Sequence, residues 1–505
     1  MAEDIGKLER VALEGQPPFM KTYGLPLAAA VFTAVLIAPS PAGLSSAGQR
    51  MLAILFFAVV TWITEAVSYP VSATVIASLM LLTLGTAPAL DQAAAEAGKT
   101  IGFGQAITMT FGGLSAGGTV LVGAAMFLAA AMTSTGLDKR IALTILSKVG
   151  SKTSRIVAGM IFVGFVLAFF VPSTTARVGC IIPIVLGIIS AFGLPIHSRF
   201  SALLMVATIH AASIWNIGIK TAAAQNMVAL GFIEKELGGS VTWLHWFATA
   251  APYAVVMSVI LYFLCMKLLP AEMSEVEGGD ETVKNAMREL GPMSSKEKKL
   301  LAISVLLLFF WVTEKVLHPV STTASTVIAI TLMFMPGIEI MTWKEAQSKV
   351  SWGTLVLFGV GISMGSALLK TKAAMWLANQ LVSGLGLANM EVFAVFAILA
   401  AFLVVVHLGF ASATAVASSM IPIMIAVLKS LNIEGLNMVD ITMLLQFVVS
   451  FGFVLPVNSP QGILAYATET FTAKDCMKVG IPVTIIGYIL LLVFAKTYWT
   501  VIGIL

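Results

Sequence analysis

Charged residues are scarce in this chain. Asp, Glu, Lys and Arg make up 11% of its 505 residues, whereas an average soluble domain carries roughly 25%. Hydrophobic residues make up 58%, more than a soluble fold of this length could bury. The sequence therefore predicts an all-α polytopic membrane protein lying in a lipid bilayer. The net charge of +4 is small, and no basic cluster suggests a nucleic-acid partner. The few Lys and Arg residues instead indicate which loops face the cytoplasm.

Cysteine and histidine are also rare. The three cysteines (Cys180, Cys265 and Cys476) are far apart, and the five histidines are scattered. This pattern gives neither a disulfide framework nor a metal site, and we expect no cofactor. The one hint of an enzyme is Lys220 close to Ser213, which is too little for a catalytic cluster. A membrane enzyme is therefore the least favoured class, and we predict no catalytic residue.

Long apolar runs dominate what is present. Residues 1–22 are polar and of mixed charge, without a signal-peptide pattern, and predict a cytoplasmic N-terminus. Ser294 and Glu297 form a capping-box pattern at the start of one later run. A membrane span needs about 20 apolar residues. This rule predicts spans near 24–41, 50–67, 70–88, 112–135, 200–217, 244–270, 299–316, 319–337, 353–370, 438–454 and 479–504.

Two short polar tips interrupt apolar sequence elsewhere. Residues 172–177 read Pro-Ser-Thr-Thr-Ala-Arg, and residues 411–415 read Ala-Ser-Ala-Thr-Ala. Apolar arms flank each tip, which predicts helical hairpins over about 155–192 and 390–430. Polar backbone at membrane depth is tolerated only where protein or a water-filled cavity covers it. The two tips are therefore candidate binding sites.

Two spans break into polar sequence as well. The first break covers residues 218–226 and the second covers residues 455–462, and neither contains Asp or Glu. The tips also lack acidic residues. Broken helices offer free N–H groups that suit anions, and hydroxyls and amides can donate to a carboxylate. Tips and breaks together favour an anionic substrate.

Four polar or charged side chains within apolar sequence leave alternatives open. Arg177 and Lys220 are candidate charge partners of an anion, because a charge at membrane depth is usually functional. Each could instead extend to an interface or pair with a helix C-terminus. His210 and His407 are more consistent with packing or hydrogen bonding than with proton transfer.

The second half of the chain repeats the first. The pattern Trp-x-Thr-Glu-x-Val-x-x-Pro-Val-Ser begins at Trp62 and again at Trp311, 249 residues later. Gln225 and Gln461, one in each break, are 236 residues apart. Slowly shrinking offsets indicate an internal duplication. The Trp and Glu residues of the repeated pattern are predicted to be membrane-interface anchors.

Topology decides the kind of repeat. With the N-terminus inside, the basic loops at 138–155 and 271–299 also fall inside, as does the segment holding Lys474 and Lys478. The C-terminus is then outside, and the two hairpins enter from opposite faces. The sequence therefore predicts an inverted repeat with one site near the midplane, as in many secondary transporters.

The tips and breaks resemble those of the divalent anion/sodium symporter family over nearly the whole chain. That family carries Ser-Asn-Thr at each hairpin tip, where this chain has Ser-Thr-Thr from Ser173 and Ser-Ala-Thr from Ser412. Residues 172–177 look most like the branch of bacterial citrate/succinate and plastid 2-oxoglutarate/malate antiporters. The breaks at 221–226 and 458–462 look like the corresponding family motifs.

The resemblance implies about 11 transmembrane helices, two re-entrant hairpins, a homodimer and elevator-type transport of di- or tricarboxylates. It also implies a division into a cytoplasmic N-terminus (1–22), scaffold spans (23–136 and 299–372), transport-domain segments (137–270 and 373–505) and a cytoplasmic linker (271–298). The implied substrate contacts are Thr174, Thr175, Ala223, Ala413, Thr414, Ser459 and Pro460. The tips and breaks add further candidate substrate-binding residues, which are Ser173, Gln225, Asn226, Ser412 and Gln461. The implied sodium-site residues are Ser173, Thr174, Ala222, Ala413 and Asn458.

This chain departs from the family at both tip asparagines. Ala413 has no side-chain oxygen, so the second sodium site loses a ligand, and the amide of Asn458 is a candidate replacement. We predict that Arg177 or Lys220 supplies the positive charge that sodium supplies in sodium-coupled members of the family. A fixed charge of this kind favours exchange over net transport. The predicted location is the cell inner membrane. The alternatives are a sodium-coupled dicarboxylate or sulfate symporter and, less favoured, a cation/proton antiporter or oxyanion efflux permease.

Overall fold

A computed structural model describes residues 18–191, 193–275, 279–433 and 435–505. Most of the predicted N-terminal segment, residues 1–17, lies outside them. The regular secondary structure of the described residues is helical, apart from isolated β-bridges. The first half contains α1 (Pro18–Ile37), α2 (Ser46–Thr64), α3 (Tyr69–Gly85), α4 (Gln92–Glu96), α5 (Phe103–Phe111), α6 (Gly117–Thr135), α7 (Leu137–Leu146), α8 (Thr153–Phe170), α9 (Thr174–Ala191), α10 (Arg199–Gly218), α11 (Ala224–Leu237) and α12 (Trp243–Leu268).

The second half follows the same order after a linker helix. Its helices are α13 (Gly279–Glu289), α14 (Ser295–Thr313), α15 (Thr322–Phe334), α16 (Trp343–Lys349), α17 (Trp352–Lys370), α18 (Ala373–Leu385), α19 (Val392–His407), α20 (Ala413–Leu431), α21 (Met438–Val449), α22 (Pro460–Tyr466), α23 (Ala473–Lys496) and α24 (Tyr498–Val501). One-turn 3₁₀ helices lie at Lys220–Ala222, Leu387–Asn389 and Pro456–Asn458.

The helices confirm a multi-span membrane protein. Among the described residues, eight helices are long and apolar enough to cross a bilayer, and six shorter helices are also apolar. Large apolar side chains remain exposed along α12 and α23, for example Phe263 at 63% and Ile485 at 55%. A lipid environment accepts such faces, because hydrocarbon tails are as apolar as these side chains. The predicted capping box is confirmed, because Ser294 and Glu297 each bond the other's backbone N–H.

Both predicted hairpins are present as helix–tip–helix units, α8–α9 and α19–α20. The packing of their second arms follows the internal repeat. Helix α9 packs against α10 of its own half and against α22 of the other half. Helix α20 packs in the same way against α21 and α11. Each hairpin therefore touches the broken span of both halves, which brings the four polar segments into one region.

The tryptophans of the repeated pattern are not interface anchors, so that prediction was wrong. Trp62 is 1% exposed and Trp311 is 2% exposed. The indole N–H of Trp62 donates to the hydroxyl of Ser72 at 2.9 Å, and that of Trp311 donates to Thr326 at 3.2 Å. Buried indole N–H groups need such partners. These tryptophans therefore join neighbouring helices inside the protein.

Candidate functional site

The two tips have the same local structure. The hydroxyl of Ser173 accepts a hydrogen bond from the backbone N–H of Ala176, and that of Ser412 accepts one from Ala415, each at 3.3 Å. A serine in this position caps the first turn of the helix that follows it. Helices α9 and α20 therefore begin at the tips. Their N-termini concentrate free N–H groups and positive helix-dipole potential, which attract anions.

The two breaks also correspond. Helix α10 ends at Gly218, a 3₁₀ turn follows, and α11 begins at Ala224. Helix α21 ends at Val449, and the chain resumes at Pro460 after a second 3₁₀ turn. At this second break the hydroxyl of Ser459 accepts from the N–H of Gly462 at 3.2 Å. Each broken span thus supplies one helix end and one helix start to the same region.

Arg177 is completely buried and joins the first tip to the first break. Its Nη1 donates to the carbonyl oxygens of Val171 and Ala222, both at 2.8 Å. The first carbonyl precedes the tip, and the second belongs to the break. The side chain therefore does not extend to a membrane interface, which was one of the alternatives left open by the sequence.

The other terminal nitrogen of Arg177 completes an oxygen-lined site. Nη2 donates to the side-chain oxygen of Asn216 at 2.5 Å and lies 3.4 Å from both the Thr174 hydroxyl and the Ala212 carbonyl. Thr174 also donates to Asn216 at 2.7 Å. Only neutral oxygens accept these hydrogen bonds, so none of them neutralises the guanidinium. Asn216 was missed by sequence reasoning, because it lies in an otherwise regular apolar helix.

Asn458 makes the matching connection in the second half, but from the opposite side. Its Nδ2 lies 3.1 Å from the carbonyl oxygen of Phe410 and 3.2 Å from that of Leu408. By the repeat, Asn458 corresponds to Ala222. In one half an arginine reaches from tip to break, and in the other an asparagine reaches from break to tip. The Asn458 side-chain oxygen is also engaged, because it accepts from the backbone N–H of Leu455 at 3.1 Å.

Two glutamines connect the halves reciprocally. Gln225 donates to the hydroxyl of Ser450 at 3.1 Å, and Gln461 donates to Ser213 at 3.0 Å. Each glutamine starts the second part of one broken span, and each serine lies at or near the end of the first part of the other. The hydrogen bonds thus cross between repeats. Both glutamine side chains are buried, so these amides hold the breaks together.

Asn226 is also engaged within the protein. Its Nδ2 donates to the carbonyl oxygen of Asn216 at 2.8 Å, and its Oδ1 accepts from Gln446 at 3.3 Å. Asn226 is fully buried. Of the predicted substrate-binding residues, those that keep more than slight exposure are Ser173, Thr174, Thr175, Ala413, Thr414 and Pro460, whereas Ala223, Gln225, Asn226, Ser412, Ser459 and Gln461 are buried.

Lys220 lies at the first break but bonds elsewhere. Its Nζ donates to the carbonyl oxygen of Val241 at 2.7 Å and to the hydroxyl of Thr322 at 3.2 Å. Val241 is in the loop after α11, and Thr322 begins α15. The described contacts of Lys220 therefore connect the first break with a loop and a neighbouring helix. They do not include the tips.

Both buried histidines contact backbone carbonyls, as their hydrogen-bonding interpretation predicted. The ring nitrogens of His210 lie 2.9 Å from the Val206 oxygen and 3.0 Å from the Phe453 oxygen. His407 Nε2 lies 3.3 Å from the Asn458 oxygen. A cavity of about 10 Å³ adjoins His210 at the second break, roughly the space of one water. The described residues contain no His, Cys, Asp and Glu cluster suited to a metal ion.

The fold and these polar segments define a membrane transport protein. The sequence model of the family described as "Sodium:sulfate symporter transmembrane region" matches residues 20–505. The chain belongs to this family, and it is a transporter and not an enzyme.

Curated relatives cover most of the chain. A protein of Cupriavidus necator described as "Membrane protein" is 49% identical over 487 residues, covering 96% of this chain and 94% of its own length. The "Sodium-dependent dicarboxylate transporter SdcS" of Staphylococcus saprophyticus is 28% identical over 93% of this chain and 89% of its own. The "Inner membrane protein YbhI" of Escherichia coli is 29% identical over 92% of this chain and 94% of its own.

A solved structure is similar in fold. The YdaH transporter of Alcanivorax borkumensis aligns with a TM-score of 0.57 at 14% identity, covering 85% of this chain and 98% of that chain. This likeness supports the helical fold.

Proposed function

We propose that this chain is a secondary transporter that exchanges small organic anions across the cell inner membrane by an elevator-type movement. The expected substrates are C4-dicarboxylates, 2-oxoglutarate or citrate. A relative named as a dicarboxylate transporter supports this substrate class. The absence of Asp and Glu from both tips and both breaks supports an anion as well. The observation that carries the exchange mechanism is the environment of Arg177.

The Arg177 guanidinium lies among the oxygens that the family resemblance assigns to the first sodium site. It contacts Thr174 at 3.4 Å and the Ala222 carbonyl at 2.8 Å. A guanidinium is permanently charged and offers several donors in a fixed plane. It can therefore supply the positive charge next to the substrate and hold the tip to the break without a bound ion.

The second sodium site is weakened in a different way. Ala413 contributes no side-chain oxygen, and the N–H groups of Asn458 donate to the carbonyls of Leu408 and Phe410, just before the second tip. Each carbonyl oxygen that accepts a hydrogen bond from Asn458 has one lone pair fewer with which to bind a cation. We therefore expect sodium binding to be unnecessary at either site.

A fixed charge explains why exchange is favoured over net transport. Moving an empty carrier would carry the uncompensated Arg177 charge through the membrane, which is costly. A bound dicarboxylate offsets that charge and leaves one negative charge, which the N-termini of α9 and α20 stabilise. Each half-cycle is therefore expected to proceed with substrate. The half-buried tip residues Thr174, Thr175 and Thr414, with the N-termini of α9 and α20, are the proposed contacts of its carboxylates.

The proposal also includes a homodimer, a division into scaffold and transport segments, and an orientation of the two termini. A homodimer held by scaffold spans 23–136 and 299–372 would carry moving transport-domain segments 137–270 and 373–505. The N-terminus would be cytoplasmic and the C-terminus outside, because the basic loops then fall inside. Cysteine labelling of each terminus in intact cells and in inverted vesicles tests the orientation.

The second candidate function is sodium-coupled dicarboxylate symport, because relatives are named as sodium-dependent. Counterflow in proteoliposomes separates the two. Exchange predicts rapid uptake of labelled succinate only when unlabelled dicarboxylate is inside, with or without sodium. Strong uptake into substrate-free vesicles driven by an inward sodium gradient would overturn exchange. Thermal stabilisation by sulfate but by no carboxylate would overturn the substrate class.

A further inference from the structure

We propose that Lys220 is a positioning residue that latches the moving part of the carrier to its static part through Thr322 and Glu314. This inference rests on the proposed two-domain exchange and adds a state-specific contact to it. Lys220 lies at the first break, within the segment 137–270 proposed to move. Thr322 and Glu314 lie within the segment 299–372 proposed to stay fixed.

The latch is a continuous chain of hydrogen bonds. Lys220 Nζ donates to Thr322 Oγ1 at 3.2 Å, and Thr322 Oγ1 donates to Glu314 Oε2 at 2.7 Å. The three residues are 6%, 2% and 7% exposed, respectively. A hydroxyl therefore links a buried ammonium to a buried carboxylate. Buried charges need such compensation, and removing one member leaves the other unpaired.

Two further contacts join the same surfaces. The backbone N–H of Trp243 lies 3.4 Å from Glu314 Oε2. Lys315 Nζ lies 2.5 Å from the hydroxyl of Ser240. The loop between α11 and α12 therefore docks onto the turn between α14 and α15, next to Lys220. Movement of one segment along the other has to break these contacts together.

Separation of the surfaces also changes the environment of the charge. Within the moving segment Lys220 keeps the carbonyl of Val241, its partner at 2.7 Å. It loses the hydroxyl that connects it to Glu314. The latch therefore favours the docked state, because the hydrogen bonds from Lys220 through Thr322 to Glu314 exist only while the two surfaces are in contact.

The internal repeat indicates that the latch is one-sided. The residue that corresponds to Lys220 in the second break is Pro456. The loop between α11 and α12 corresponds to the loop 467–472 between α22 and α23, which contains no Lys or Arg. Alternating access in inverted repeats moves one repeat or bundle against the other around a shared site. An equivalent contact of loop 467–472 with the turn between α2 and α3, residues 65–68, would therefore lack the lysine. The latch thus biases the carrier towards one of its two end states.

Cross-linking measures the docked population without any substrate. We would place S240C and K315C in a background carrying C180S, C265S and C476S. A short bifunctional thiol reagent then joins the two cysteines only while the loop is docked. K220M should slow cross-linking by about tenfold, and T322V should slow it in the same direction. K220R should restore part of the rate, because it returns a positive donor.

Substrate binding to the cross-linked, or trapped, protein distinguishes a latch role of Lys220 from a role as a substrate ligand. Once cross-linked, the docked state no longer depends on Lys220, so trapped K220M should bind succinate with the same affinity as the trapped parent. The control is K299M, because Lys299 donates to the carbonyls of Gly337 and Ile338, all within the proposed static segment. K299M should leave the cross-linking rate unchanged.

Two results would overturn the latch. One is a K220M cross-linking rate equal to that of K299M, with T322V also unchanged. The other is a tenfold or greater loss of succinate binding in trapped K220M, which would make Lys220 a substrate ligand. T322V provides the test if K220M does not fold, judged by size-exclusion chromatography. Failure of the parent to exchange any carboxylate would reject the proposed function, while the cross-linking rates would still decide whether the contact exists.

Discussion

The side-chain amide of Gln461 donates to the hydroxyl of Ser213 at 3.0 Å, across the two halves of the repeat. Gln225 and Ser450 form the reciprocal contact at 3.1 Å. The chain therefore joins its two broken spans by a pair of equivalent hydrogen bonds. These contacts fix the breaks relative to each other, which a single midplane site requires.

The first prediction concerns this pair of contacts. Q461L and S213A should each lower the free energy of unfolding by about 1–3 kcal/mol, because a buried polar group loses its partner. The double variant should lose less than the sum of the two. S258A is the control, since Ser258 donates to the carbonyl oxygen of Ala254 in its own helix. Melting temperatures in detergent test this, and additive losses would contradict the cross-repeat contact.

The second prediction concerns Arg177. R177K should reduce succinate exchange at least tenfold, because a lysine ammonium cannot span the carbonyls of Val171 and Ala222 and the oxygen of Asn216 together. R177M should abolish exchange. R50K is the control, since Arg50 bonds Thr83 and lies among the predicted scaffold helices. Initial rates in proteoliposomes give the measurement, and R177K with wild-type exchange would remove Arg177 from the mechanism.

The third prediction uses two helical glycines. A Cβ at Gly480 would lie 2.0 Å from the carbonyl oxygen of Phe453, at the second break, whereas a Cβ at Gly187 would meet nothing within 4 Å. G480A should therefore displace the break and abolish exchange, with a loss of several degrees in melting temperature. G187A should stabilise the protein by about 0.5–1 kcal/mol, because alanine restricts the unfolded chain. Comparable exchange by both variants would show that α23 tolerates displacement at this contact.

The fourth prediction concerns pH and the ion pair of Arg140 with Glu297. Burial raises the pKa of the Glu297 carboxyl, but hydrogen bonds from Arg140 and Ser294 outweigh it and leave the pKa below its usual value. A carboxyl group whose pKa is lower in the folded state contributes its full stability at pH values above the unfolded-state pKa. This contribution is lost as the pH falls through the folded-state pKa. The wild type should therefore lose melting temperature as pH falls below about 4.5.

E297Q isolates this effect, because glutamine can keep the capping box. We expect it to be less stable than the wild type by about 1 kcal/mol at neutral pH, with the difference shrinking towards pH 3. E345Q is the control, since Glu345 forms a second capping box but is exposed. Melting curves from pH 3 to pH 7 provide the measurement. An E297Q deficit that stays constant over this range would contradict a role for the charge.

The helical class, the helices at the predicted spans and the positions of both helix–tip–helix units followed from the sequence alone. Hydropathy and polar interruptions are local signals, and a bilayer tolerates only satisfied backbone. The repeat offsets between Gln225 and Gln461 and between the two tips also placed the breaks correctly. The capping box at Ser294 is local in the same sense and was predicted from four residues.

Only the tertiary structure decided which side chains meet. Asn216 looked like part of an ordinary span, yet it accepts from Thr174 and Arg177. Asn458 lies in the second break, yet it donates to the carbonyl oxygen of Phe410 beside the second tip. Gln461 and Ser213 are 248 residues apart in the chain. No local pattern encodes such partners, because they depend on how the helices of the two repeats pack together. The sequence therefore determined where polar groups interrupt the membrane helices, and packing determined what each group binds.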